Sequence, residues 1–342
     1  MMPNRATPDP LQWVRQNLFN TWWNGLLTIA CFGILLQGIL WAGRWLGQAQ
    51  WSVIQANWRL LFIGRYPADQ AWRVGVGVGI LGAALLLSWG LPRWVGPVKA
   101  PLLALLLWLP VAPVMLWLIA GGAGLPGVSS TLWGGLLLTL LMAVVSIVLA
   151  FPLGILLALG RQGSLPIIRW LSTLYIEIVR GLPLIGILFI AQVMLPLFFP
   201  ATVTLDRITP AIAGLVLFNA AYLAENVRGG LQSVPRGQVE AARALGLNSF
   251  LVVLLIVLPQ ALRAVIPAIV GQFISLFKDT SLLSIFALLE LTGMARSILS
   301  QPDFLGRYAE VYLFVGLIYW IFCYSMSLAS QRLEQELGVG QR

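Results

Sequence analysis

The chain has 342 residues, 59% of them hydrophobic and only 10% charged, with a mean hydropathy of +0.88 and a net charge of +9. Soluble domains carry about 25% charged residues, so a water-soluble core is excluded as the main architecture. There is no histidine and no GxxxxGK[ST] loop, which removes the commonest metal ligand and general base and any phosphate cradle of that kind. Energy for any work must therefore come from another chain or from an ion gradient. The bases are scattered singly, a pattern that suits topology and anionic lipid better than nucleic acid. Cys31 and Cys323 both sit in apolar runs and read as small packing residues, with no disulfide or metal spacing.

The chain opens with a polar stretch carrying Arg5 and Arg15, followed by an apolar run from Trp22 to Ala42. That run exceeds the roughly 7–15 residues of a signal-peptide core and has no convincing cleavage site, so it is predicted as a retained first span. Further charge-poor segments follow at 74–92, 101–120, 131–159, 170–199, 208–228, 262–285 and 309–330, which makes eight predicted spans. From Ala100 to Gly160 there is no charged residue at all. As one straight helix this stretch would reach ~90 Å, about three hydrocarbon thicknesses, so it must fold back. "GGAGLPGVSS" (121–130) supplies the turn. The segment 248–258 is apolar but short and closed by Pro259, and is predicted to lie at the membrane interface. The fold class is an all-α integral membrane protein.

Orientation follows from the bases flanking the spans. With the N-terminus in the cytoplasm, twelve bases fall inside, among them Arg5, Lys99 and Arg342. Seven fall outside: Arg44, Arg59, Arg65, Arg73, Arg207, Arg296 and Arg307. Four of the seven crowd the 43–73 loop, against the trend, but the balance still predicts both termini in the cytoplasm.

Ionisable groups inside a bilayer cost several kcal/mol each and are functional candidates. Glu177 and Arg180 are spaced i, i+3, can pair on one helix face, and precede Gly181 and Pro183, which break the helix. Two uses stand open: a structural pair that fixes the kink, or a broken helix whose freed backbone binds a zwitterion. Asn219, Tyr222, Glu225 and Arg228 form a stripe in steps of three, with Asn219 and Tyr222 placed to face a pore and Glu225 and Arg228 near the cytoplasm as a gate or anchor. Lys278, Asp279, Thr280 and Ser281 follow deep in the next span, either holding helices together or lining a path.

Between these lies "EAARALG" (240–246), a small-residue helix stopped at Gly246, which can take the left-handed conformation. Glu240 is placed near the helix start, where it suits the dipole, and Ala241 and Ala244 share a face that another backbone can approach closely. From the residues alone this is either an interfacial connector or a knob presented to a cytoplasmic partner.

Glu240-Ala241-Ala242, then Gly246, then Ile256-Val257-Leu258-Pro259 resembles the EAA signature of ABC importer permeases. "EIVRGLPLIGILFI" (177–190), "AYLAENVRGGLQSVPRGQVEAARALGL" (221–247) and "LPQALRAVIPAIVGQFISLFKDTSLLSI" (258–285) resemble the polar-amino-acid uptake branch of that family. Asn226 and Phe277 depart from its usual pattern. The resemblance covers 130–332 and implies a type I importer permease fold: a five-helix core at 126–335 with a coupling helix at 239–247. It also implies that Glu240, Ala241, Ala242 and Gly246 dock on an ATP-binding subunit. The first 125 residues, with three spans and an outside loop at 43–73, resemble a permease subunit of the general L-amino-acid transporters, as does "MLPLFFP" (194–200). The family implies a second, homologous permease subunit in a heterodimer, an ATPase dimer that carries the ATP and Mg, and a periplasmic amino-acid-binding protein. It implies no cofactor in this chain, no catalysis by it, and a place in the bacterial inner membrane. The rival readings are a self-sufficient secondary transporter driven by an ion gradient, and a non-transporting scaffold.

Overall fold

A computed structural model describes residues 10–95, 100–200 and 205–338. Arg5, Lys99 and Arg342, which enter the topology argument, lie outside the described residues. Among those described there are helices and no strand. They group into two units, Met1–Ser52 and Val53–Arg342.

In the first unit, α1 (Pro10–Asn17) is polar and α2 (Trp22–Gln48) is apolar on every face, with no buried residue. Thr21 caps α2 by accepting a hydrogen bond from the Asn24 N–H at 3.3 Å. A helix apolar all round, 27 residues and about 40 Å long, has its natural environment in hydrocarbon.

The second unit begins with a correction. The expected outside loop at 43–73 is mostly helical: α2 runs to Gln48, and α3 (Ser52–Ile63) buries Val53, Asn57 and Leu61. Val53 and Leu61 enter a core cluster with Leu291, Met294, Ile298, Val311 and Val315, far along the chain. Two of the arginines crowding this loop are likewise engaged: Arg59 donates to the Tyr66 carbonyl, and the fully buried Arg73 to the Pro126 carbonyl at 2.9 Å. Their placement thus has a folding cause apart from topology.

α4 (Trp72–Val95) and α5 (Ala100–Ala120) pack as a pair, tied by the Trp108 indole N–H to the Ser88 hydroxyl at 2.9 Å. α6 (Gly135–Gln162) and α9 (Ile208–Ser233) form the central contact of the unit. α9 presents Ala211, Gly214, Ala220, Ala221, Ala224 and Gly230 as buried small residues, which lets backbones approach without a hydrophobic drive, as membrane helices require. At Gly154 of α6 an added Cβ would come within 2.7 Å of Leu223.

α7 (Pro166–Gly181) and α8 (Leu184–Met194) meet at a bend of 109°, so the break expected at Gly181 and Pro183 is a sharp turn of the chain. α7 packs on the C-terminal half of α9, with Ile176 against Ala224 and Val227; α8 packs on the N-terminal half, with Leu188 against Ala211 and Leu215.

After α10 (Arg236–Ala244), the segment predicted at the interface is helical from Ser249 to Ala264. It comprises α11 (Ser249–Leu251), a π-helical stretch Val252–Val257 and α12 (Leu258–Ala264). Pro259 does not close it, because it falls at the start of α12, where its missing N–H costs little. The next span, α13 (Ile266–Asp279) with a 3₁₀ extension to Phe286, starts four residues later than predicted. α14 (Leu291–Leu299) and α15 (Tyr308–Leu337) complete the chain.

Six described helices are long and apolar enough to cross a membrane, and the bent pair of α7 and α8 makes a seventh. The remaining predicted span, 101–120, is present as α5, a continuous apolar helix of 21 residues that accommodates Pro110 and Pro113. At about 1.5 Å per residue it matches a ~30 Å hydrocarbon core.

Candidate functional site

The "EAARALG" segment folds as a short helix, but it starts earlier than expected, at Arg236. Glu240 is therefore its fifth residue, beyond the first turn, and the helix-dipole argument for it does not hold. Gly246 sits at φ +81° and ends the helix; the Gly246 N–H donates to the Arg243 carbonyl at 2.9 Å and the Leu247 N–H to the Ala242 carbonyl at 3.2 Å. Asn248 then caps α11 by accepting from the Leu251 N–H at 2.9 Å, which fixes the exit of the chain. Glu240, Ala241, Ala244 and Gly246 are exposed, and Leu245 is 83% exposed. Ala242 is different: it is buried, and helps seat α10 against the π-helical stretch. The helix is thus a small exposed platform fastened along one edge.

Near the C-terminal end of α6 the charged candidates form a network across helices. Arg161 donates to Glu177 at 2.7 Å and approaches Glu225 at 3.4 Å, Arg180 lies 3.6 Å from Glu225, and Arg228 also clasps Glu225. The expected local pairing of Glu177 with Arg180 is not the arrangement found. Each prefers a partner on another helix, because the turn after α7 brings its end against α6 and α9. The Arg180 guanidinium also lies over the Tyr222 ring at 5.5 Å, and that ring packs on Phe218 at 4.8 Å. Three arginines and two glutamates, all at least partly exposed, join α6, α7 and α9 around the break.

Asn219 is fully buried and does not line an open pore: it donates to the Leu215 carbonyl at 2.9 Å and accepts from the Gln272 amide at 2.8 Å. Asn226 adds a second, longer link to the Ala268 carbonyl at 3.4 Å. These amide contacts hold α13 to α9.

The Lys278–Ser281 quartet divides. Thr280 is buried and donates back to the Phe277 carbonyl at 2.7 Å. Asp279 is half-buried, and Lys278 and Ser281 open toward a pocket between α13, α14 and α15.

One acid was missed. Glu290 is fully buried at the start of α14, where its carboxylate accepts from the Gly293 N–H at 2.7 Å and the Thr292 N–H at 2.9 Å, and from the Tyr319 hydroxyl at 3.3 Å. Burial pushes it up to about 7, against the opposing pull of those donors. A lone acid in the apolar run "IFALLELTG", followed by Thr-Gly, was the available signal.

A helical membrane protein with a broken span, an exposed small-residue helix between spans and ion pairs around the break has the build of a permease subunit. The chain belongs to the family described as "binding-protein-dependent transport system inner membrane component", whose model matches residues 150–339. It is 42% identical to the inner membrane amino-acid ABC transporter permease protein YhdY of Escherichia coli, over 96% of this chain and 93% of that one. It is 37% identical, with the same coverage, to the glutamate/glutamine/aspartate/asparagine transport system permease protein BztC of Rhodobacter capsulatus. A solved structure titled "Crystal structure of an amino acid ABC transporter with histidines" matches 59% of this chain and 92% of its own, at 29% identity and a TM-score of 0.53. The chain is therefore a multi-pass inner-membrane permease subunit of an ABC importer. It works with a separate ATPase subunit, which hydrolyses ATP, and with a solute-binding protein.

Proposed function

We propose that this chain imports polar amino acids as one half of a heterodimeric permease, with α10 as the element on which the ATPase partner acts. The observation that carries the coupling role is α10 itself, an exposed helix of nine residues anchored through Ala242 to the π-helical stretch and so to α12 and α9. Glu240, Ala241 and Gly246 supply the exposed surface, Ala242 the anchor. ATP and Mg would sit on the partner. The amino-acid substrate is supported by the relatives, whose names specify amino-acid transport over nearly their full length. Both termini in the cytoplasm are supported by the balance of bases, which puts α10 and the Arg161–Glu225 network on the inner face.

Alternating access then has a physical form. A push on α10 reaches α9 through α12, whose close contact leaves no room for a Cβ at Gly230 (2.4 Å from the Ala261 carbonyl). Movement of α9 strains the ion pairs that tie Glu225 to Arg161 and Arg180, and these hold the α7–α8 break. Candidate path residues are Tyr222 beside that break and Lys278, Asp279 and Ser281 toward the other end of the unit.

The test is uptake of labelled glutamate, glutamine and arginine by liposomes holding the chain with its partner permease, ATPase and binding protein. ATP-dependent uptake of at least one of these, unaffected by collapsing ion gradients, is expected. Uptake driven by a proton or sodium gradient without ATP would sink the proposal.

A further inference from the structure

We propose that Pro259 and Gln260 are positioning residues for the coupling stroke: they hold Val252–Val257 in its π register, and that register seats α10. The inference rests on α10 being the element on which the ATPase acts, and concerns what lies between it and α9.

A π-helix of six residues is uncommon, since i→i+5 bonding is met mostly as single-turn bulges inside α-helices, frequently at functional sites. Here the Leu258 N–H donates to the Val253 carbonyl, five residues back. Pro259 supplies the cause. Its missing N–H costs little at the start of α12, but its ring still needs room. In an unbroken α-helix that ring would clash with the carbonyl four residues earlier, on Leu255. The wider turn removes the clash. "VVLLIV" holds no glycine to explain the widening, and its β-branched Val252, Val253, Ile256 and Val257 favour the α register weakly. Gln260 completes the arrangement. Its side-chain amide donates to the Ile256 carbonyl at 2.7 Å, in the turn that Pro259 leaves one N–H short. Both residues are exposed, so neither belongs to the core.

The register matters for what it turns toward α10. Val252 is the one buried residue of the stretch, and α10, with its buried Ala242, packs on that stretch. At the other end Val257 and Leu258 join Ala261 in the cluster that holds α12 to Ala224 and Val227 of α9. A π turn holds one residue more than an α turn, so a return to α would rotate Val252 by about 100° relative to α12. On a cylinder of about 2.3 Å radius, such a rotation moves a Cα by roughly 3.5 Å. That takes Val252 from beneath α10 while α12 keeps its hold on α9. The π stretch is thus the joint that fixes where α10 stands relative to α9.

The experiment uses the full complex, with the partner permease, the ATPase and the binding protein, reconstituted in liposomes. Pro259→Ala removes the ring without touching a buried residue. Three quantities are read: uptake per ATP hydrolysed, melting temperature, and the distance between spin labels at Ser249 and Ala264, both exposed, in a background without Cys31 and Cys323. Pro259→Ala should lower uptake per ATP at least about fivefold, the low end for coupling between two sites. The label distance should shift by roughly 3 Å. Melting temperature should stay level or rise, since proline is the poorest residue for a helix interior. Gln260→Leu, which keeps the ring, should give a smaller fall in uptake per ATP. Unchanged uptake per ATP or an unchanged label distance in Pro259→Ala would overturn the proposal. So would a melting temperature that drops along with uptake, which would make Pro259 structural alone. Glu240→Lys with Gly246→Val, assayed alongside, keeps the two readings apart. Full uptake there removes the coupling role of α10, whereas the label distance in Pro259→Ala still reports what sets the register.

Discussion

A buried or half-buried carboxylate stands against each end of α6, Glu290 from the start of α14 and Glu225 from α9, and the two are handled in opposite ways. At its N-terminal end Glu290 is sealed from solvent, next to a parallel bridge with Gly135, and answered by backbone N–H groups and one tyrosine. At its C-terminal end, about 40 Å away along the 28-residue helix, Glu225 is answered by the side chains of three arginines, each partly open to solvent. Backbone donors cannot leave without unfolding a helix end. Arginines can exchange partners at small cost, since solvent screens partly exposed pairs. One end is thus built to hold and the other to rearrange, which is what a permease needs if its entrance scaffold stays fixed while the coupling side moves.

The contrast can be broken hardest at the holding end. Gly135→Val and Gly293→Val should abolish folded protein, because Gly135 has φ +59° with the Leu61 carbonyl 2.3 Å from its would-be Cβ, and Gly293 has the Leu288 carbonyl at 2.2 Å. Gly181→Val near the rearranging end, with open space around it, should leave yield and melting temperature nearly unchanged by comparison. Fluorescence size-exclusion yield in mild detergent reads this directly, and equal yields for all three would remove the contrast.

Next in size is Glu290→Ala, which should cost about 1–3 kcal/mol through a lost cap and stranded donors. The pH dependence sharpens it. Burial raises Glu290 in the folded chain from its ordinary 4.5 to about 7, so the folded state binds the proton more tightly than the unfolded one. Stability should therefore be greatest below about pH 5 and fall as pH rises through 7, by at most about 1.4 kcal/mol per pH unit. Thermal melts of Glu290→Gln, which keeps the shape without the titration, should lack this slope. A wild-type melt that rises over the same range would contradict it.

The smallest effect on stability belongs to Glu225→Gln, within about 1 kcal/mol because the pairs are partly exposed and solvent-screened. Its effect on function should be far larger. ATP hydrolysis should persist while uptake falls, because α7 loses its ion-pair tie to α9 while the apolar packing of Ile176 remains. Coupled uptake and melting temperature that fell together would mean that this network is only structural.

Much of this arrangement could be read from the chain and some could not. Apolar runs placed the spans, since burial in hydrocarbon leaves a composition mark that needs no partner. Gly181-Leu182-Pro183 marked the break and Gly246 the end of α10, because both act through local backbone geometry. α3 escaped notice since "SVIQANWRLLFI" mixes Asn57 and Arg59 into an apolar face that matters only against α14 and α15. The pairing of Glu177 was misjudged for a similar reason. Spacing along one helix favoured Arg180, whereas the observed partner, Arg161, lies on another helix. Glu290 went unremarked because nothing near it in sequence signals that Tyr319 and Gly135 would close over it. Local signals were legible, and contacts that depend on the fold of distant helices were not.

The most direct measurement is ATP-driven amino-acid uptake by reconstituted complexes carrying Glu240→Lys with Gly246→Val in α10, with copurification of the ATPase subunit followed in the same preparations. Both positions are exposed, Gly246 at φ +81° resists any side chain, and the rest of the fold is untouched. The expected result is a normally inserted chain, with only a small fall in melting temperature from the strained end of α10, that loses uptake and releases the ATPase. Full uptake with the ATPase still bound would contradict the assignment of α10 as the coupling element.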